Sequence, residues 1–306
     1  MINTRSNKNL LWLDVSNPTT LEISEILQKH KLHPLTGEEL LNPSSGTKIE
    51  FYKDYTLIIL TMPIRTRNEL KHDIKDSEID FVISKDFLIT ARYDTIEQIE
   101  YFSKIFEANA ILNKDENIDH PGNLFYYIIK RIYRGMRQDL ENIRDSIKDA
   151  ESRVFNGDER RMVETLSNIR RELIDFRQIA KAHHDIWEKL SSHGLSFFGE
   201  DYKTYIEDLR DEFEQIHNLI TNARELINDL HETNDSLLNS KQNETIKILT
   251  LVSFVFAPLT TISAIFTIPA VHVPFIESPY GWNVLVGVMI AIAIFTLYYF
   301  RRKGWI

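Results

Sequence analysis

Two long apolar stretches near the carboxyl end constrain this chain more than any other feature. Thr245 to Pro269 is uncharged except for Lys247, and Trp282 to Phe300 carries no charge before the chain closes on Arg301-Arg302-Lys303-Gly304-Trp305-Ile306. In hydrocarbon a backbone must satisfy its own amides, so a span needs about 20 mostly apolar residues in helical form. Both stretches reach that length, and together they read as a membrane hairpin. The loop between them, residues 270–281, holds no Lys or Arg, whereas Lys241 and Lys247 precede the first span and basic residues follow the second. Basic flanks stay on the cytoplasmic side. This predicts a multi-pass protein of the cell membrane, inner or plasma, with both termini in the cytoplasm and the lipid bilayer as a partner.

The remainder must be polar, because the mean hydropathy of the whole chain is slightly negative despite the two spans. A length of 306 residues leaves room for roughly two units in water ahead of the hairpin, since domains usually run about 100 to 200 residues. There is no cysteine, which excludes disulfides, thiolate metal sites and thiol nucleophiles and suits a reducing compartment. Met1 to Asn9 is polar, unlike a cleavable signal peptide. The net charge of −9 argues against nucleic acid as a partner, because phosphates demand a basic surface; a cation is the easier partner.

Residues 1–120 read as a cytoplasmic α/β domain. Leu10 to Val15 has strand character, and Asn17-Pro18 supplies an N-cap and a first-turn proline for a helix running to about His30. Ile49 to Lys53, Tyr55 to Met62, Ile79 to Ile83 and Phe87 to Tyr93 are short β-branched and aromatic runs separated by turn residues, and Thr95 to Leu112 returns to helical spacing. Residues 121–200 form an antiparallel helical pair, with Asn156-Gly157-Asp158 as its turn. Residues 201–244 form a stalk helix. Its seam (Ile206, Leu209, Phe213, Ile216, Ile220, Ala223, Ile227, Leu230, Asn234, Leu237) alternates spacings of three and four without a break. That is a heptad pattern with one polar register residue, Asn234, and a seam does not say whose helix it faces. No glycine or proline separates the stalk from the first span (245–269), so one rod of roughly 100 Å is predicted from about Tyr205 to Pro269. An outer loop (270–281), a second span (282–300) and a basic cytoplasmic tail (301–306) complete the chain.

Along the first span, Asn243, Thr250, Ser253, Ala257, Thr260 or Thr261, Ala264 and Thr267 recur about every 3.6 residues, while the large apolar side chains lie elsewhere. Such a stripe either lets membrane helices approach closely or lines a wet path, which two spans can build only by oligomerising. The long seam favours a symmetric bundle around a central pore.

At this point the chain resembles the CorA family of magnesium and cobalt transporters, across nearly its whole length. The resemblance is carried by Ile169-Arg170-Arg171-Glu172-Leu173 in the helical pair, Lys247-Ile248-Leu249-Thr250 leading to Pro258-Leu259-Thr260, and the ending Tyr299-Phe300-Arg301-Arg302-Lys303-Gly304-Trp305-Ile306. It implies an α+β membrane protein assembled as a homopentameric funnel, with passive cation flux through a pore lined by the first span. The implied wall is Asn243, Ile246, Leu249, Thr250, Ser253, Ala257, Thr260, Ala264 and Thr267. In it Asn243 stands at the inner mouth and Leu249 near an apolar constriction that gates by dewetting.

The resemblance breaks at one place. Where the family carries Gly-Met-Asn at the outer end of the first span, this chain has Thr267, Ile268 and Pro269. The family's asparagine amides hold a hydrated cation, which suits magnesium because it dehydrates reluctantly; proline has no such amide. Magnesium remains the default ion, with cobalt, nickel or zinc as alternatives, and a non-conducting metal-sensing scaffold as the rival of another class. In the outer loop, His272 and Glu277 beside Pro269 are groups that symmetry would multiply into rings at the mouth. On the stalk, Tyr205, Asp208 and Asp211 match a family pattern in which carboxylates hold regulatory divalent ions. His183 and His184 are adjacent and point to different faces, so they read as packed or exposed residues, not a metal pair. The sequence contains no phosphate-cradling glycine loop, no nucleophile elbow and no HExxH motif. The expectation is a transporter and not an enzyme, with divalent cations as substrate and regulator and no other cofactor.

Overall fold

The computed structural model describes residues 1–7, 10–44, 46–65, 74–112, 120–194, 199, 202–267 and 280–305. They form two compact units, Met1–His231 and Glu232–Ile306.

The first unit is built on one six-stranded sheet. Its strands are β1 (Ile2–Asn7), β2 (Leu10–Ser16), β3 (Lys48–Phe51), β4 (Tyr55–Arg65), β5 (Ile74–Ser84) and β6 (Phe87–Arg92), in the order β1-β2-β6-β5-β4-β3. The β2–β6 pairing is parallel and the other described pairings are antiparallel. Two helices and the strands β3, β4 and β5 intervene between the members of the parallel pair, a connection long enough to bring the chain back in the same direction. β1 was not expected from its polar sequence. It is an edge strand held by antiparallel pairing from Ile2↔Val15 to Asn7↔Leu10, and that position asks little of its outer face.

Two helices cover one face of the sheet. The helix expected after Asn17-Pro18 begins later than that dipeptide suggests. α1 (Thr20–His30) is capped by Thr19, whose Oγ1 accepts from the Glu22 N–H while Glu22 reaches back to the Thr19 N–H, a full capping box. Asn17 instead takes a left-handed conformation, φ 48°, where the chain leaves β2. α2 (Pro34–Leu41) starts at His33, whose Nδ1 accepts from the Leu35 N–H at 3.3 Å, with proline at the first helical position. Gly37 allows α2 to touch α1, since a Cβ there would lie 2.5 Å from Leu27 Cδ1.

The opposite face carries α3 (Glu97–Leu112), α4 (Pro121–Phe155) and α5 (Glu159–Lys189), the last followed by a π-helical turn at Leu190–Gly194. Trp12 meets Phe106 edge-on at 5.5 Å, and Phe81 meets Phe125 at 5.1 Å. A buried polar network ties the parallel strands together: Trp12 Nε1 donates to Thr90 Oγ1, Thr90 donates to Asp14, and Arg92 pairs with Asp14 at 3.2 Å.

α6 (Lys203–Thr267) closes the first unit and opens the second. Its seam residues Ile206, Leu209, Phe213, Ile216, Ile220, Ala223, Ile227 and Leu230 are buried within this single chain. Phe213 lies against Tyr133 of α4 and His183 of α5. The seam was read as favouring a bundle between copies; the structure spends it on the chain's own helices instead. His183 is fully buried and joins three elements. Trp187 Nε1 donates to Tyr133 Oη at 2.7 Å, Tyr133 Oη lies 3.0 Å from His183 Nδ1, and His183 Nε2 lies 2.8 Å from the Thr61 carbonyl of β4.

The second unit consists of the later part of α6 and α7 (Gly281–Arg302). Both helices are long and apolar enough to cross a membrane, and the apolar stretch of α6 buries none of its residues in the chain. Phe254 of α6 meets Phe300 of α7 edge-on at 5.6 Å, and Phe300 in turn meets Trp305 at 5.3 Å. Pro258 lies inside α6; lacking an N–H, it leaves the Phe254 carbonyl without its usual helical donor.

Candidate functional site

The stripe predicted from sequence is continuous on α6. Asn243, Ile246, Leu249, Ser253, Ala257, Thr260, Ala264 and Thr267 are exposed in the single chain, and Thr250 is half-buried. The residues that lose more exposure, Leu251, Val255, Pro258, Leu259, Ile262 and Phe266, lie on other faces of the helix. The stripe is therefore open in the single chain, as are the apolar side chains Val252, Phe254, Phe256 and Ile265 elsewhere on the same stretch.

Its hydroxyl groups share one arrangement. Thr250 donates to the Ile246 carbonyl at 2.7 Å, Ser253 to Leu249 at 2.9 Å, Thr260 to Ala257 at 2.9 Å, Thr261 to Ala257 at 2.8 Å, and Thr267 to Ala264 at 2.8 Å. Each hydroxyl spends its one proton on its own helix and keeps its acceptor lone pairs outward. A row of outward acceptors with their protons turned inward suits a cation or its water shell and not an anion. Between these groups, Ile246 and Leu249 are 51% and 61% exposed, bulky apolar points on an otherwise small and polar track. Pro269, His272 and Glu277, predicted for the mouth, lie outside the described residues, as does Ile268.

On the stalk the three predicted residues have different surroundings. Tyr205 packs edge-on against Tyr126 of α4 at 4.9 Å. Asp208 turns toward α4, where its Oδ2 accepts from both Lys130 Nζ and Tyr126 Oη, each at 2.7 Å. Burial alone would raise the Asp208 carboxyl, but the hydrogen bonds from Lys130 and Tyr126 outweigh it and hold it below the usual carboxylate value. The same bonds push the Lys130 ammonium up from its ordinary value. Asp211 is exposed and has no partner among the described residues. Asp208 and Asp211 thus do not share one site in the single chain. Among the described residues, no cluster of acids and histidines is placed to hold a metal ion by itself. Sequence reading missed Lys130 and Tyr126; their spacing of four residues on one helix face was visible, but nothing local said which acid they would meet.

A cavity of about 640 Å³ belongs to the first unit and is lined by Ser44, Thr47, Thr61, Asp76, Glu78, Tyr93 and Asp94 among others. Beside it Asp80 is fully buried, accepts from Tyr93 Oη at 2.8 Å, and is driven strongly upward by burial and by the neighbouring Glu78.

Comparison with known proteins supplies what geometry does not. The chain is 26% identical over 300 residues to the cobalt/magnesium transport protein CorA of Methanocaldococcus jannaschii, covering 97% of this chain and 92% of that protein. The protein of the same name from Thermotoga maritima is 24% identical over 306 residues, covering 97% and 86% of the two chains. The complete structure of the M. jannaschii CorA magnesium transporter superposes with a TM-score of 0.83 at 24% sequence identity, over 97% of this chain and 92% of that one. The fold is therefore that of a full-length CorA chain. A family profile described as CorA-like Mg2+ transporter protein matches residues 7–302, and on that match the chain belongs to the CorA family.

Proposed function

We propose that this protein is a divalent cation channel or transporter, with magnesium as the default substrate, that conducts passively along the hydroxyl stripe of α6 when copies of the chain surround a common axis. The carrying observation is the stripe itself. Thr250, Ser253, Thr260 and Thr267 present oxygen acceptors on a face the chain leaves open, on a helix apolar enough to span a bilayer. Facing lipid, those oxygens would gain nothing; facing one another across a pore, they replace part of an ion's hydration. The names of the relatives, cobalt/magnesium transport proteins, agree with this reading. The assembly is a homopentamer in the cell membrane, with both termini cytoplasmic because the basic residues flank the hairpin on that side.

A second reading concerns the ion. Thr267, Ile268 and Pro269 stand where the family carries Gly-Met-Asn, so the mouth has hydroxyls in place of amides and the preference shifts toward cobalt, nickel or zinc. One experiment separates these readings. Purified protein in liposomes with a negative interior is offered magnesium, cobalt, nickel, zinc and potassium in turn. Divalent entry is expected, and Thr260→Leu and Thr267→Leu should each cut it by about tenfold or more by narrowing the wall. Entry of another ion alone redefines the substrate. Silence for all ions, or full flux in both variants, removes the proposed pathway and favours a metal-sensing scaffold.

A further inference from the structure

We propose that Lys130 is a tethered counter-ion to Asp208, so that the stalk holds the chain's own ammonium at the place where the family pattern implies a divalent ion, and that the residues there do not fit such an ion while Lys130 is in place. The assignment deepens the transporter reading above, since it concerns how that transporter responds to divalent ions, but its geometry stands without any flux.

Lys130 Nζ is fixed from three directions. It donates to Asp208 Oδ2 and to Tyr126 Oη, each at 2.7 Å, and lies 5.1 Å from the centroid of the Tyr126 ring. Tyr126 donates its own proton to the same Asp208 oxygen. Lys130 and Tyr126 lie one helical turn apart on α4, so a single face delivers an ammonium, a phenol and an aromatic surface to one carboxylate. With an ammonium and a phenol both donating to Oδ2, the partly exposed carboxylate is paired at the surface of the first unit.

The arrangement repeats one heptad along α4. Arg137 pairs with Glu212, one turn beyond Asp208 on α6, and its guanidinium also reaches Gln215 at 2.9 Å. Two cations on α4 therefore match two acids on α6, which is a built surface and not one stray lysine rotamer.

A magnesium ion bound directly to Asp208 would need an oxygen at about 2.0–2.1 Å and near-octahedral neighbours. Its place at Oδ2 is taken by an ammonium of like charge, and Tyr126 uses the same oxygen. Binding there must first expel Lys130. The clamp between α4 and α6 is thus an ion pair between side chains of one chain and does not depend on the divalent concentration.

Thermal unfolding of the full-length protein in detergent tests this, titrating MgCl2 against NaCl at matched ionic strength. Wild type and Asp208→Asn are expected to share one magnesium dependence. Lys130→Met should acquire a further stabilisation, half-maximal at about tenfold lower magnesium or less, and Lys130→Met combined with Asp208→Asn should lose it. A wild-type response that weakens in Asp208→Asn would overturn the proposal, as would a Lys130→Met response equal to that of wild type. If Lys130→Met does not fold, the comparison of wild type with Asp208→Asn still decides, and Lys130→Gln repeats the neutralisation with a polar side chain. The melts read binding without transport. A protein silent in liposomes but behaving as expected here would sink the transporter reading and leave this one standing.

Discussion

His183 can hold only one tautomer. A carbonyl only accepts, so the bond to Thr61 must come from Nε2–H, which leaves Nδ1 as the acceptor for the Tyr133 hydroxyl. Tyr133 in turn accepts from Trp187, and the imidazole is neutral because burial lowers its pKa from 6.5 to about 4. The unfolded chain binds this proton below about 6.5 and the folded chain only near 4, so the unfolded state holds more protons between those values. Stability is complete above the upper value and falls as the pH drops toward the lower one, by up to about 3 kcal/mol. Denaturant midpoints at pH 7.5 and pH 5 should show the loss, and His183→Gln should flatten it; an unchanged midpoint in wild type would contradict the neutral assignment. The sequence left His183 as either packed or exposed, and the structure packs it in the interior. The direction in which Asp208 points was not legible, because its partner lies 78 positions away in sequence.

Among the elements, the long regular ones and the apolar strands β2 to β6 were readable, whereas α2 and the polar edge strand β1 were not. Heptad spacing over α6 and unbroken apolarity over the hairpin each repeat a signal many times. α2 is eight residues long and depends on a histidine cap, while β1 is polar and exists only through its partner strand. The seam itself was visible, but periodicity is blind to which surface satisfies it; α4 and α5 do so here. Asn234 shows the cost of register. It is fully buried on α6, and neither atom of its amide has a hydrogen-bond partner. Burying an amide without partners disfavours the folded state, so Asn234→Leu is expected to raise stability by about 1 kcal/mol, while allowing the helix to slip in register. Calorimetry measures the gain, and a lower melting temperature would show that the amide is satisfied in the assembled protein.

For the whole molecule, the fold class followed in outline from the patterning of the sequence: a polar α/β body, long helices, and an apolar hairpin. The stripe of α6 was legible as a face of the helix, because its small and hydroxylic residues recur at helical spacing in a span otherwise filled with Leu, Ile and Phe. The mouth was not legible, since the family's own signature is missing there. With the stalk seam consumed internally, the assembly proposed above would rest on the open stripe face and the polar stalk surface. Native mass spectrometry from lipid nanodiscs should give five chains of 35.9 kDa; a monomer or dimer at working concentration would remove the pore.

The internal seam also sets an order of events during synthesis. Everything that closes the core of the first unit, from the sheet to the aromatic partners of Phe213, lies before Glu232. A ribosome adds about 5–20 residues each second and domains fold as they emerge, so this unit has its complete set of partners before the first apolar span appears. The insertion machinery then receives a folded protein trailing its anchor, and a lesion confined to the spans should leave behind a folded body with an exposed apolar tail, a target for membrane quality control and not for general chaperones.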